Sequence, residues 1–265
     1  MAFGAVTAIL IAGVAFRRRA LSADGTVAAW IVGTVVVAAG GWWWGLLLVV
    51  FFAASTLLGR VGPRRDDGDR GIRGRRRDAV QVGANGGLAA LLAALAVAGS
   101  REILFIAYAG AIAAATADTW ATEIGRFSKV APRSVVSGLE VEPGASGGIT
   151  PIGTLGALGG ALLIGILTAV GVWFDWAPAD VPALATIAIV AGAGFSAALV
   201  DSVLGATVQA VYRCPRCKVE TEGPVHHCGR ETVLMRGMPA MTNDIVNLIA
   251  TLAGAALATA SGWAA

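Results

Sequence analysis

Apolar residues fill long stretches of this chain, and polar residues gather in the segments between them. Eight apolar runs stand out, at about 2–16, 26–40, 42–58, 85–99, 103–121, 151–172, 183–205 and 244–262. About 20 residues of helix cross the hydrocarbon core of a bilayer, so 2–16 and 85–99 are short by that measure. The Gly40-Gly41 pair predicts a tight turn between the second and third runs. Trp42, Trp43 and Trp44 follow it and are expected in the interfacial aromatic belt. The pattern predicts an all-α, polytopic membrane protein with about eight helices in one bundle, a single domain over 1–265.

Composition strengthens that reading. Of 265 residues 56% are hydrophobic and 14% charged, with a mean hydropathy of +0.73. Soluble domains carry about 25% charged residues, so a soluble enzyme, a disordered chain, a coiled coil and a disulfide scaffold are all excluded. Glycine, at 36 residues, is as abundant as closely packed membrane helices require. The first 16 residues precede Arg17-Arg18-Arg19 instead of following a basic segment, the reverse of a secretory signal, so a retained helix is expected.

The net charge of +3 says less than its distribution. With the N-terminus outside, the inner loops are 17–25, 59–84, 122–150 and 206–243, and they hold 19 of the 20 Lys and Arg residues. Only Arg101 falls on the other side. That is the positive-inside pattern, and it predicts a cytosolic active face on a protein of the cell's inner membrane. Segment 59–84 is a basic cytosolic loop, and 206–243 is a cytosolic insert containing the cysteines.

Candidate chemistry sits at the inner ends of the helices. Asp118, Thr119, Thr122 and Glu123 close the fifth run, and Asp201 closes the seventh. Asn243, Asp244 and Asn247 open the eighth, and Asn85 opens the fourth. A charge at the centre of a membrane helix costs about 2.5–3.5 kcal/mol, so such residues are paired or functional unless they only cap helix ends. Asp118 and Glu123 lie about 140° apart around a helix, so they face different ways unless it breaks near Gly125. Between 141 and 150, a glycine-rich segment leads into the sixth run. Gly144, Ser146, Gly147, Gly148 and Thr150 there form either a plain turn or a loop whose N–H groups receive an anion. Arg19, Arg73, Arg75, Arg76, Arg77, Arg126 and Lys129 lie on the same side, where topology and anionic lipid account for most of them. Acids, cations and a glycine loop on one face suit phosphates with a divalent metal. Cys214-Pro-Arg-Cys217 followed by His226, His227 and Cys228 suggests a closed zinc site, read as Cys214, Cys217, His227 and Cys228. Three cysteines do not suggest a disulfide framework.

Several strings together resemble one family. They are Ala20-Leu21-Ser22 with Gly25, Gln81-Val82-Gly83-Ala84-Asn85-Gly86-Gly87, and Ala117-Asp118-Thr119-Trp120-Ala121-Thr122-Glu123-Ile124-Gly125. Gly144-Ala145-Ser146-Gly147-Gly148-Ile149-Thr150, the Asp201–Gln209 stretch and Asn243-Asp244-Ile245-Val246-Asn247 follow in order. Together they are similar to the transmembrane protein 19 family, domain of unknown function 92, which includes a phytyl-phosphate kinase. One departure is Gly-Ala-Ser-Gly-Gly, where the family pattern has Gly-Thr-Asn-Gly-Gly. The resemblance implies transfer of the γ-phosphoryl group of a nucleoside triphosphate, CTP first and ATP second, to an isoprenoid monophosphate. It implies Mg²⁺ on Asp118, Glu123 and Asp201, the three catalytic residues, with Asn85, Asp244 and Asn247 as further ligands. The 144–150 segment would take the nucleotide, and Arg19, Arg73 or Arg126 the acceptor phosphate. The bilayer is the expected setting, and nucleic acid is not an expected partner. A cytidylyltransferase, an ion-coupled transporter or lipid flippase, and a non-catalytic assembly factor are the competing readings.

Overall fold

In the computed structural model, residues 2–61 and 76–262 are described. They form eight α-helices: α1 (Ala2–Arg17), α2 (Ala23–Val35), α3 (Trp42–Val61), α4 (Ala79–Leu95), α5 (Arg101–Gly125), α6 (Pro151–Trp173), α7 (Ala183–Thr207) and α8 (Asn243–Gly262). A π-helical turn, Val36–Gly40, extends α2. Five short strands lie in the connections: β1 (Arg133–Ser134), β2 (Gly148–Ile149), β3 (Val211–Arg213), β4 (Glu220–Thr221) and β5 (Val233–Arg236). β1 and β2 pair antiparallel, and β3 lies between β4 and β5. Six helices are long and apolar enough to cross a membrane, and α1 and α4 are shorter apolar helices.

The helices run alternately up and down, as contacts at both ends require. At one end Arg60 donates to the Arg18 carbonyl at 2.7 Å and Arg77 N–H to that of Ala20 at 2.9 Å. At that same end the α5 terminus at Gly125 meets Thr150 at the start of α6. This basic end holds the described loops with most of the cations. At the opposite, aromatic end, the Trp43–Trp176 and Trp42–Trp43 ring centroids lie 5.0 Å apart. Arg101 is also at that end and donates to the Ala39 and Gly40 carbonyls, where the π turn leaves acceptors unsatisfied. A cation apart from the others is thus explained as a helix cap.

The tryptophan belt needs a correction. Trp42 is exposed, but Trp43 and Trp44 are buried. Three successive residues fan out by about 100° each on a helix, so they cannot share the lipid face. Trp44 packs instead between Phe105 and Tyr108, and the Tyr108 hydroxyl donates to the Trp44 carbonyl at 2.6 Å. The fourth helix also starts six residues earlier than the apolar run suggested. Asp78 accepts from Gln81 N–H at 2.9 Å, and the Gln81 side chain accepts from Asp78 N–H at 3.2 Å. This capping box carries the helix through a polar turn that hydropathy alone does not register.

α5 is the axis of the bundle, buried at every residue from Phe105 to Ala117. It packs against α3, α4, α6, α7 and α8. Small residues permit the close approach. A Cβ on Gly254 would lie 2.6 Å from the Gly110 carbonyl oxygen. Along α6, Cβ atoms on Gly153, Gly156 and Gly160 would stand 2.9, 2.8 and 3.0 Å from the carbonyls of Ala121, Trp120 and Thr116. Gly110→Ala is therefore expected to push α8 from α5 and destabilise the protein by about 1–3 kcal/mol. Thermal unfolding in detergent checks it, with Gly83→Ala, which adds its methyl to open space, as the neutral control.

Candidate functional site

The acids at the basic end separate into two groups. Ala117 packs with Ala198 in a cluster shared by α5, α6 and α7. One residue on from Ala117 is Asp118, and three on from Ala198 is Asp201. The Asp201 carboxylate lies within reach of the charge on Asp118. Its Oδ2 is buried and has no hydrogen-bond partner. Nearby hydroxyls are spent on their own helices: Thr119 donates to Ala115 O at 2.8 Å and Ser202 to Ala198 O at 3.0 Å. Two carboxylates within electrostatic reach of each other among apolar helices repel, and a buried orphan oxygen adds a desolvation cost. A divalent cation relieves both, so the pair fits one. On α8, which packs on both α5 and α7, Asp244 is buried and Asn247 half-buried. Asn243 accepts from Gln209 at 3.5 Å.

Glu123 does not join this pair. Its carboxylate accepts from Arg126 at 2.9 Å and would stand 3.4 Å from a Cβ on Gly59 of α3. The turn between 118 and 123 points it at α3, since α5 stays helical to Gly125. Among the described residues no three carboxylates converge on one point, so the six-residue magnesium set is not closed. Asn85 also faces elsewhere. Its amide donates to Gln81 O at 3.0 Å, and it lines a cavity between α1, α2, α3 and α4.

That cavity has a volume of about 310 Å³. Its walls are apolar, with Ala12, Ala29, Leu48 and Phe52 among them, and its polar lining includes Arg77, Gln81 and Asn85. Arg77 is held on both sides. Its N–H donates to Ala20 O, and its carbonyl accepts from Ser22 N–H and Oγ, each at 3.1 Å. Gly25 closes on the same carbonyl so tightly that a Cβ there would collide with it. The Ala20-Leu21-Ser22 and Gly25 string thus serves to fix Arg77. The guanidinium lies 5.4 Å and 5.5 Å from the Phe51 and Phe52 ring centroids. Burial lowers its pKa and the Glu123 carboxylate opposes that; a guanidinium keeps its charge at neutral pH regardless. Sequence reasoning counted Arg77 only among the cations. The signal that singles it out is its place directly before the capping box of α4.

The glycine-rich loop is more firmly tied than an open anion cradle. Ala145 N–H donates to Glu142 O at 2.9 Å and Gly148 N–H to Ala145 O at 3.0 Å. Gly148 pairs with Ser134 between β1 and β2. Thr150 is the N-cap of α6, its hydroxyl accepting from Gly153 N–H at 3.1 Å. Gly144 and Gly147 have φ of 85° and 78°, and Gly147 abuts the backbone of Ala206 at the end of α7. Arg236 fastens this junction by donating to the carbonyls of Gly205, Ala206 and Ser146. The loop thus stands one turn beyond Asp201.

Of the acceptor arginines, Arg19 is exposed in a left-handed turn with φ 56°, and Arg126 is paired with Glu123. Arg73 lies outside the described residues. In the cysteine segment, Cys214, Cys217, His226 and Cys228 come together. His226, not His227, is the histidine: it is buried, with Nδ1 3.0 Å from Cys228 Sγ, whereas His227 is exposed and meets His226 Nε2 at 3.1 Å. His226 thus puts a ring nitrogen among the sulfurs, and His227 lies against the other nitrogen of that ring.

Among the described residues, eight apolar helices with acids and a half-buried cation at one end define a polytopic membrane protein. Residues 6–255 match the integral membrane protein family DUF92, and the chain belongs to that family. Protein PGR of Arabidopsis thaliana is 30% identical over 94% of this chain and 92% of its own length. MJ0933, an uncharacterized membrane protein of Methanocaldococcus jannaschii, is 32% identical over 57% of this chain and 62% of its own. No solved structure matches the chain.

Proposed function

We propose that the protein is a membrane-embedded kinase that transfers the γ-phosphoryl group of a nucleoside triphosphate, CTP foremost, to an isoprenoid monophosphate such as phytyl or geranylgeranyl phosphate. The observation that carries this reading is a juxtaposition at the basic end. An apolar cavity whose lining includes a half-buried arginine lies between α1, α2, α3 and α4, and two half-buried carboxylates, Asp118 of α5 and Asp201 of α7, lie within electrostatic reach of each other. The prenyl chain occupies the cavity, and Arg77, with Gln81 and Asn85 beside it, receives the phosphate. Asp118 and Asp201 would hold Mg²⁺, which would supply the charge screening that phosphoryl transfer needs. The nucleotide lies along the 144–148 loop, one turn from Asp201.

This division of labour suits the reaction. A phosphate monoester carries about −1.5 to −2 charge at pH 7 and attacks without losing a proton. No general base is needed, and the chain's two histidines lie in the cysteine segment. The difficulty is repulsion: two unit charges 4 Å apart repel by about 4 kcal/mol at an effective dielectric of 20. Arg77 offsets charge on the acceptor and the acid pair recruits it for the donor. Glu123 keeps Arg77 and Arg126 oriented. The basic end faces the cytosol in this reading, where nucleotide is found.

Purified protein given Mg²⁺, CTP labelled at the γ- or α-phosphate and a panel of prenyl monophosphates of ten to twenty carbons tests it. γ-label in a prenyl diphosphate is the expected product. Transfer of α-label would make the protein a cytidylyltransferase, and no transfer with CTP or ATP on any acceptor would refute catalysis of this kind.

A further inference from the structure

We infer that Cys214, Cys217, His226 and Cys228 form a closed structural zinc site that holds the β3–β5 sheet, and through Arg236 fastens the end of α7 to the glycine-rich loop. The four ligand atoms lie within 4.8 Å of one another. Cys214 and Cys228 Sγ are 3.7 Å apart. A tetrahedral ion with Zn–S bonds of about 2.3 Å requires sulfurs about 3.8 Å apart.

The backbone gives an independent argument, because the two halves of the site are built alike. Cys214 N–H donates to Val219 O at 3.0 Å, and Lys218 N–H returns to Cys214 O at 2.9 Å. In the other half His226 N–H donates to Arg230 O at 2.9 Å, and Gly229 N–H returns to His226 O at 2.8 Å. In each half the residue just past the second ligand takes positive φ, 62° at Lys218 and 78° at Gly229. Each turn thereby presents two ligands on one side. A lysine in the left-handed region is uncommon, and its strain is tolerated where surrounding structure over-determines it. Cys217 N–H points at Cys214 Sγ at 3.4 Å, a contact that favours thiolate.

Four protein ligands leave no open coordination position, so the ion's role is structural. The segment between β3 and β5 has little else to hold it: β4 and β5 have two and four residues, and Val233, Leu234 and Met235 are exposed. β5 ends in Arg236, whose guanidinium binds three carbonyls at the α7–loop junction. β3 leads directly out of α7. The sheet thus connects the metal site to the junction.

The test uses the full chain, purified in detergent under reducing conditions without added metal. Metal analysis is expected to find one zinc per chain, and exchange with Co²⁺ to give the thiolate charge-transfer and tetrahedral d–d bands. Cys228→Ser and His226→Ala should lose the metal, while His227→Ala keeps it. Chelation should expose the 144–148 loop and the end of α7 to hydrogen exchange, and Arg236→Ala should do so with zinc still bound. Two results would overturn the proposal: wild-type protein that neither contains zinc nor takes up Zn²⁺ or Co²⁺, or a Cys214–Cys228 disulfide in a parallel preparation whose thiols are alkylated at lysis without reductant. Neither readout depends on enzymatic activity.

Discussion

Asp118→Asn and Asp201→Asn are each expected to lower the rate of the proposed phosphoryl transfer by about 10³ or more while the protein keeps its fold. The magnitude is that of removing a preorganised electrostatic partner from a transition state in a water-poor site. Asparagine has nearly the same shape as aspartate, so helix packing around Ala117 and Ala198 is undisturbed. What changes is the charge that would draw a cation in. The variants carry a second signature. Without metal the paired carboxylates repel, and Asp201 Oδ2 is buried with no partner, so replacing one acid should raise the midpoint of thermal unfolding in chelator. With Mg²⁺ the order should reverse, because the wild type alone gains stability from binding. A merely structural pair would predict neither inversion nor loss of turnover. Activity within a few-fold of wild type for both variants would remove them from the metal site.

The helices were legible because a bilayer imposes one rule, that backbone polar groups be satisfied within the segment, and apolar length reports it. The alternation of cations agrees with the up-and-down order of the helices. Less legible were features that depend on direction around a helix or on one specific hydrogen bond. Hydropathy could not say that Trp44 turns inward while Trp42 turns out, and it missed the start of α4, where Asp78 and Gln81 cap each other. At the site, spacing alone already separated Glu123 from Asp118. That Asp201 comes within electrostatic reach of Asp118 depends on how α7 crosses α5, which no local pattern records. The choice of His226 over His227 likewise needs the turn geometry. Arg77 was hidden by company: it ends a stretch with eight arginines between 60 and 78, and only its backbone anchors and aromatic neighbours distinguish it.

Arg77→Gln is expected to raise the KM for prenyl monophosphate about 100-fold, with little change in kcat or in the KM for nucleotide. A hydrogen bond to a charged group contributes about 1.5–3 kcal/mol, so the loss of one or two to a phosphate reaches that range. The effect falls on KM because the acceptor's phosphate is charged before and during transfer, and a contact made equally in both states contributes uniform binding. Arg77→Lys should fall between, keeping charge but not the planar fork. A purely structural role makes a different forecast. The guanidinium also packs beside Phe51 and Phe52, and if it only joins α4 to α3, both variants lower thermal stability and leave the acceptor KM alone. The tail end of the same cavity supplies the complementary test. Ala8 lines its wall nine residues along α1 from Arg17, and Ala8→Phe adds bulk where the far part of the prenyl chain would run. A ten-carbon acceptor should still be used, whereas a twenty-carbon one should lose affinity. Equal loss on both would argue that the chain lies elsewhere, and no loss on either, together with an unchanged Arg77→Gln, would detach the cavity from the reaction while leaving the acid pair in place.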